Sequence, residues 1–394
     1  MANNVPIVTV SEFTEIVKQQ FVDGDFHPLF GLGKGGIGKT ESIETLAKEL
    51  EIGYVDIRLL LYSETDLKGI PFPNAEHTKA VWLQNDILPN EKRDGKKGIL
   101  VLDEITSCSR SLRTAAYQLL NERRLGQYEL PAEWLVVCLG NGEEDGGDFE
   151  GMEANFVNRC SMFNVMPDDK AWRTWAVRNG VNPLVTAYVQ WKPSDLHTYK
   201  DSGDYDCMLF ASPRSWVAVS NILNHHEDSI ESRIVSSRIL GNLGNEVGNR
   251  FLAFAKYKDK TVPPEEILNG NVKAIEMLNK NIENSTGNEI IFMTVNEVVK
   301  KLADEISVEA KNPANRRGRE ILFSDGLIVH AANGIRWFLT LKRLETRVMA
   351  LNQFFDSCKE ARSLMLNRKF LMACPEIRQF AANNSTILLN QSTL

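Results

Sequence analysis

The chain contains no apolar run approaching the roughly 20 residues that a membrane-spanning helix needs, which excludes such a helix from the reading. Met1 to Glu12 carries neither the basic nor the apolar region of a secretory signal, so the expectation is a cytoplasmic protein. The six cysteines (108, 138, 160, 207, 358, 374) are scattered, with no C-x-x-C pair. That excludes a cysteine-based zinc motif and suggests buried thiols in a reducing compartment. The six histidines form no ligand spacing either. His225 and His226 are adjacent, and on a helix they would point about 100° apart. Positive charge is also short: the net charge is −7. This argues against a protein built mainly to grip nucleic acid, although a local basic channel can hide in such an average. No internal repeat or long low-complexity tract is present.

What remains is an ordinary globular composition, with 43% hydrophobic and 25% charged residues over 394 positions. That length suggests two or three domains. Within it lies one motif of high information content, Gly33-Lys34-Gly35-Gly36-Ile37-Gly38-Lys39-Thr40. It is a complete phosphate-binding loop, G-x-x-x-x-G-K-[ST]. Glycines let successive backbone N–H groups converge on phosphate oxygens without an intervening Cβ. Lys39 is expected to reach the β- and γ-phosphates, and the Thr40 hydroxyl to hold Mg²⁺. His27 to Leu32 reads as the end of a strand. Glu41 to Leu50 has helical spacing in Ile43, Leu46, Ala47 and Leu50. The loop thus stands between a strand and a helix N-terminus, where the dipole favours anions, and Glu41 opens that helix. A chance glycine-rich turn would have to account for this context as well.

Strand-like and helix-like stretches alternate from 26 to 165. A short helix over 1–20 (Val10, Phe13, Ile16, Val17) leads in. Gly53–Ile57, Gly98–Leu102, Glu133–Gly140 and Ser161–Val165 read as strands, the apolar runs among them as strands buried on both faces. This implies an α/β fold, a parallel sheet covered by helices, with nucleotide at the carboxyl ends of the strands. From Pro167 the strand signal fades and helices dominate. Tyr257–Pro264 is a charged, proline-containing break. The expected organisation is an α/β core over 1–166, a helical lid over 167–257 and a helical C-terminal region over 265–394. Asn312–Arg319 reads as a basic loop, and the tail from Asn383 as polar.

Four further features carry chemistry. Leu100-Val101-Leu102-Asp103-Glu104 is an apolar strand ending in two carboxylates. Asp103 suits Mg²⁺ and its waters, and Glu104 suits polarisation of an attacking water. Asn141 ends the next buried strand, so its carboxamide can meet a γ-phosphate or orient water; a turn-forming Asn-Gly is the alternative. Arg159 follows Asn158 just before the last strand, where it can point into a neighbouring subunit's nucleotide as an arginine finger. Ser212-Pro213-Arg214 opens a helix with proline at its first position, and Arg214 can fold back onto a γ-phosphate. For either arginine alone, a surface ion pair is the simpler account.

In this order the features resemble the AAA+ superfamily, specifically its MoxR-like branch with the related dynein-type modules. Gly33–Thr40 matches Walker A, and Leu102-Asp103-Glu104-Ile105 matches the branch's L-D-E-I Walker B. Asn141 matches sensor 1, Asn158-Arg159 the arginine-finger position and Ser212-Pro213-Arg214 sensor 2. Asp56-Ile57-Arg58 with Asp66-Leu67-Lys68-Gly69 looks like the segment before that branch's helix-2 insert. Ala115–Leu125 is similar to the helix after Walker B. The likeness covers about residues 25–255; nothing beyond 265 matches. Two departures stand out: Gly35-Gly36 replaces the usual Walker A proline, and Thr106-Ser107-Cys108 replaces N-R-A. Lys34 also lets the loop fit the deviant K-G-G-x-G-K-[ST] class of dimeric ATPases, in which that lysine reaches a partner's phosphate. The Asp-Glu pair and the S-P-R helix argue against that class, leaving Lys34 as a solvated lysine or one that touches phosphate in cis.

The resemblance implies an ATP- and Mg²⁺-dependent ATPase assembled as a homo-oligomeric ring, a hexamer in the branch's usual form. ATP would sit between subunits, with Lys39, Thr40, Asp103, Glu104, Asn141 and Arg214 from one and Arg159 from the next. It also implies chaperone-like remodelling of a protein client, often with a partner that carries a von Willebrand factor A domain. In that branch the insert near Ile70–Gln84 often faces the pore or the substrate; a surface loop is the plainer reading. A McrB-like nucleic-acid-associated motor is the alternative, opposed by the acidic balance and by the lack of an aromatic–basic stripe. A non-hydrolysing switch is a third reading, opposed by the intact Glu104 and Arg159.

Overall fold

The computed structural model describes residues 5–83, 86–142, 158–199, 209–226, 229–285, 288–317 and 320–384. The chain divides into two compact units. The first takes in Met1–Asp168, Tyr199–Met208 and Ser212–Arg214; the second takes in Asp169–Thr198, Leu209–Ala211 and Ser215–Leu394.

In chain order the first unit has β1 (Ile7–Thr9), α1 (Val10–Val22), β2 (Leu29–Leu32), α2 (Lys39–Leu50), β3 (Gly53–Arg58) and α3 (Glu64–Lys68). There follow β4 (Ile70–Pro73), β5 (Ala80–Leu83), α4 (Glu91–Asp94), β6 (Lys97–Asp103) and α5 (Arg110–Glu122). The series continues with β7 (Arg124–Leu125), β8 (Tyr128–Glu129), β9 (Glu133–Gly140) and β10 (Ser161–Met166). Six of these strands form one parallel sheet in the order β1-β10-β2-β9-β6-β3. The unbroken apolar runs of β6 and β9 lie inside this sheet, where both faces need apolar cover. Alternate residues serve opposite faces, as a strand period of two requires. Ile99 and Val101 pack with Phe13 and Val17 of α1 and Ile43 and Leu46 of α2. Leu100 and Leu102 pack with Leu112, Ala116 and Leu119 of α5. The fold is therefore α/β, a parallel sheet between helical layers.

In the first unit, two short features differ from the sequence reading. A strand, β1, precedes α1 and pairs with β10, Ile7 opposite Asn164; three residues are too few to show a period. Thr9 then starts α1 with a capping box, its hydroxyl accepting from the Glu12 N–H while the Glu12 carboxylate accepts from the Thr9 N–H. Residues 70–83 form an antiparallel hairpin of β4 and β5, Ile70 opposite Leu83. Ile70, Phe72 and Leu83 are exposed on it.

The second unit is helical, with two hydrophobic cores. One gathers Tyr188, Trp216, Phe251 and Phe254. The other is built along the helices Glu289–Lys311 and Asp325–Thr340, with Phe354 and Phe370. The helix Glu289–Lys311 serves both, since Met293 joins the first core and Val295, Val299 and Leu302 join the second. Asp195, almost fully buried, is held bidentately by Arg250 at 3.0 and 3.1 Å and by the Tyr188 hydroxyl at 2.6 Å. The 312–319 segment is not a plain loop: Pro313–Asn315 makes a 3₁₀ turn, and Arg316–Arg317 pairs antiparallel with Glu320–Ile321. Gly318, Arg319 and the tail beyond Asn384 lie outside the described residues, as do Asn155–Val157 ahead of Arg159. No described helix is long and apolar enough to cross a membrane.

Candidate functional site

The site lies at the carboxyl end of the central strands, within the first unit. β2 delivers the glycine-rich loop and is joined to β9 by the Gly33 N–H, which donates to the Gly140 carbonyl at 3.1 Å. Gly33 must lack a side chain: a Cβ there would come 2.2 Å from the Val165 carbonyl oxygen of β10. Gly36 and Gly38 take φ of +77° and +96°, a region that L side chains rarely enter. The loop thereby turns into α2, whose N-cap, Gly38, supplies no side-chain partner. No capping side chain thus covers the first turn of α2, and an uncapped helix start favours anions. Ile37 is buried in the core and anchors the loop, whereas Glu41 is exposed on the first turn of α2.

Lys39 is buried and folds back along the loop, donating to the carbonyls of Gly33 and Lys34, the latter at 2.9 Å. Thr40 faces the other way. Its hydroxyl donates to Asp103 Oδ2 at 2.9 Å, while Asp103 Oδ1 accepts the Glu104 N–H at 2.9 Å. Both carboxylate oxygens of Asp103 are therefore held. Glu104 has φ +59°, a left-handed conformation that costs a non-glycine residue about 1–2 kcal/mol. Such strain recurs at functional positions. Here it turns the chain sharply out of β6.

β9 lies between β2 and β6, so its end stands between the loop and the two carboxylates. Asn141 sits there, with its side-chain amide 3.5 Å from Glu104 Oε2. A Cβ on Gly35 would lie 4.0 Å from Asn141 Oδ1. The backbone around it is pinned: the Ile105 N–H donates to the Leu139 carbonyl at 3.1 Å, and the Asn141 N–H donates to Thr106 Oγ1 at 3.1 Å.

The arginines occupy different places. Ser212 and Arg214 border the loop: a Cβ on Gly36 would come 3.3 Å from Ser212 Oγ and 3.7 Å from Arg214 Cβ. The Arg214 side chain is exposed there. Arg159 is not brought to the loop. It precedes β10, which starts with Ser161 opposite Leu29 and reaches Asn164 opposite Leu32. In a parallel sheet this puts Arg159 at the amino edge, roughly 10 Å or more from the loop at about 3.3 Å per residue. Its guanidinium stacks on Tyr117 of α5, 4.4 Å from the ring centroid. Lys34 is also engaged, donating to the Tyr199 carbonyl at 3.3 Å and lying 5.5 Å from that ring's centroid.

Three neighbours of Asp103 were not apparent from the motifs. Tyr54 and Asp56 of β3 share a sheet face with Asp103, and Glu44 of α2 overlooks it. Asp56 is pushed up to about 6, first by partial desolvation and then by Asp103 and Glu44, with Arg58 pulling the other way. The Tyr54 hydroxyl is pushed up by burial and by the same carboxylates, and finds no hydrogen-bond partner among the described residues. Period-two spacing along β3 could have signalled this crowding, had β3 been known to pair with β6.

The donors present fit a hard cation. Thr40 and Asp103 offer only oxygen, the preference of Mg²⁺, which usually takes one or two protein ligands beside phosphate and water. Among the described residues no group of three His, Cys, Asp or Glu could hold a metal unaided, so a cation here would need such shared ligands.

No protein-family model and no curated protein matches the sequence. Solved structures with some likeness include an ATPase, described as such, from Cytophaga hutchinsonii, at 15% identity and a TM-score of 0.34 over 75% of this chain and 76% of that one. Hsp104 in a closed state with ATPγS and casein is 16% identical, with a TM-score of 0.34, over 63% of this chain and 46% of that one. The Holliday-junction branch-migration motor RuvB of Thermotoga maritima is 11% identical, with a TM-score of 0.29, over 77% of each chain.

Proposed function

We propose that this chain is an ATP-hydrolysing enzyme of the AAA+ type, MoxR-like in its motif set, that works as a ring, most simply a hexamer. The observation that carries the reading is the convergence at one sheet edge of Thr40, Asp103, Glu104 and Asn141 around a complete phosphate loop. The α2 N-terminus and the loop N–H groups bind the phosphates. Lys39 exchanges its two carbonyl partners for the β- and γ-phosphate oxygens. Thr40 and Asp103 would hold Mg²⁺, which would supply neutralisation of the charge that develops on the phosphates. Glu104 accepts the proton of the attacking water, and Asn141 orients that water or the γ-phosphate. Arg214, beside Gly36, supplies positive charge from the loop's own chain. Arg159, at the opposite sheet edge, serves the site of a neighbouring copy. On this reading residues 167–257 are the helical lid domain, followed by the helical C-terminal region 265–394. The work done is chaperone-like remodelling of a protein client, with a von Willebrand factor A domain protein as the partner the motif resemblance suggests.

The test is a comparison of wild type with Glu104→Gln, each given ATP and Mg²⁺, by phosphate release and by sizing with light scattering. The expected result is turnover by the wild type, and a variant that retains ATP without hydrolysing it while assembled near six subunits. Unchanged hydrolysis in a monomeric or dimeric variant would remove Glu104 from its role.

A further inference from the structure

We propose that Thr106 is the positioning residue that sets Asn141, and through it Glu104, in the geometry for hydrolysis; this deepens the ATPase reading and rests on it. Three observations meet at this side chain. Thr106 is buried at 1% exposure, although it belongs to the turn that leaves β6 and its hydroxyl is polar. That hydroxyl accepts the Asn141 N–H at 3.1 Å. A Cβ on residue 140 would come 2.7 Å from the Thr106 methyl and 2.9 Å from its hydroxyl, so Gly140 leaves the room that Thr106 fills.

The sheet geometry explains the need. β9 is paired on one side with β2 up to Gly140 opposite Leu32, and on the other with β6 up to Cys138 opposite Leu102. Beyond Leu102 the chain turns away at Glu104, whose φ is positive. The Ile105 N–H still reaches the Leu139 carbonyl, but the Asn141 N–H projects past the last backbone acceptor of β6. An N–H turned away from water without an acceptor is costly; that of Asn141 is partly buried, and Thr106 Oγ1 supplies the acceptor. The contact ties the turn carrying Glu104 to the residue whose carboxamide lies 3.5 Å from the Glu104 carboxylate. Gly33 ties the other side of β9 to the loop through the Gly140 carbonyl. Asn141 thus stands on backbone clamped from both sides, and Thr106 is the one side chain in the clamp. Because its hydroxyl is buried and engaged by the Asn141 N–H, its effect should fall on turnover rather than on nucleotide affinity.

The test compares wild type, Thr106→Val, which keeps the shape and loses the acceptor, and Thr106→Ser, which keeps the hydroxyl. Each full chain is measured for ATP hydrolysis, affinity for a fluorescent ATP analogue, thermal midpoint and amide hydrogen exchange at Asn141. Thr106→Val should exchange its Asn141 amide faster and lose about tenfold or more in kcat, with nucleotide affinity within about twofold. Thr106→Ser should restore both. Unchanged exchange at Asn141 overturns the proposal, and so does a parallel fall of kcat, affinity and thermal midpoint, which marks a merely structural residue. Should valine fail to fold, Thr106→Ala removes the same acceptor without adding bulk and is read by the same criteria. A wild type that never hydrolyses ATP sinks the ATPase reading instead, and the exchange arm then decides alone whether Thr106 positions Asn141.

Discussion

Asp103 gathers most of the electrostatics at the site. Its two oxygens are held by Thr40 and Glu104, yet Asp56 and Glu44 add negative charge on the same face of the sheet. Partial burial first, and then Asp103 and Glu44, raise Asp56 to about 6, above the roughly 3.9 of an unfolded aspartate. The sign follows from linkage: the folded chain holds this proton more tightly than the unfolded one. Any stability linked to Asp56 is therefore full below about pH 4 and is lost as pH rises toward 6. Asp56→Asn should raise the thermal midpoint at pH 7.5 in Mg²⁺-free buffer and leave it nearly unchanged at pH 4. Equal midpoints for the two proteins at both pH values would show that Asp56 carries no such charge burden. At the same scale, Lys39 illustrates how a buried ammonium is kept satisfied by loop carbonyls that a phosphate can replace.

Elements, not single residues, bring the motif groups together. β9 carries little chemistry of its own before Asn141, but it separates β2 from β6 and so spaces the loop from the carboxylates. It is also the best buried strand, with Trp134 fully enclosed and its indole N–H donating to the Gly95 carbonyl at 3.1 Å. α1 closes one face of the sheet and starts with the capping box at Thr9 and Glu12. Thr9→Ala should cost about 1 kcal/mol, seen as a lower urea midpoint, and Thr9→Ser should recover most of it. A loss near zero would mean that the packing of Phe13 and Val17 alone holds α1 in place. The β4–β5 hairpin contrasts with these elements: it pairs its own backbone but leaves Ile70, Phe72 and Leu83 exposed.

At the scale of the whole molecule, the second unit holds two cores that share a helix, and a largely buried amide ring joins them. Asn296 donates to Gln190 Oε1 at 2.7 Å, Gln190 donates to Gln353 Oε1 at 3.2 Å, and Gln353 donates to Asn296 Oδ1 at 2.5 Å. Removing Asn296 leaves the buried Gln190 and the half-buried Gln353 each short of a partner, at about 1–3 kcal/mol for a buried group. Asn296→Ala should therefore lower stability by at least about 2 kcal/mol, in denaturant unfolding of the full chain. A smaller loss would mean that water takes over the amide's role. The ring reading makes its own prediction. Arg159→Ala and Lys39→Ala should each abolish hydrolysis, and mixing the two proteins should restore part of it, because one subunit's intact Arg159 meets another's intact Lys39. No recovery on mixing, with assembly intact, would place Arg159 outside a neighbour's site.

The glycine-rich loop, its strand and its helix were legible because glycine, lysine and threonine at fixed spacing express local geometry. The continuous apolar runs of β6 and β9 likewise announced strands buried on both faces, and the observed β9 spans Glu133–Gly140, as read from the sequence. Helix-rich character after Pro167 was legible too, since side-chain periodicity is local. β1 was not, because three residues acquire an identity only by pairing with β10. Nor were the contact of Thr106 with Asn141, the crowding of Asp56 against Asp103 or the amide ring of Gln190, Asn296 and Gln353. Each joins residues far apart in the chain through strand order or helix packing. Local sequence determined the long strands and helices and the motif they carry, because those follow from propensity and periodicity. Only the tertiary structure decided which side chains share a face, a hydrogen bond or a buried pocket, because that depends on which elements become neighbours.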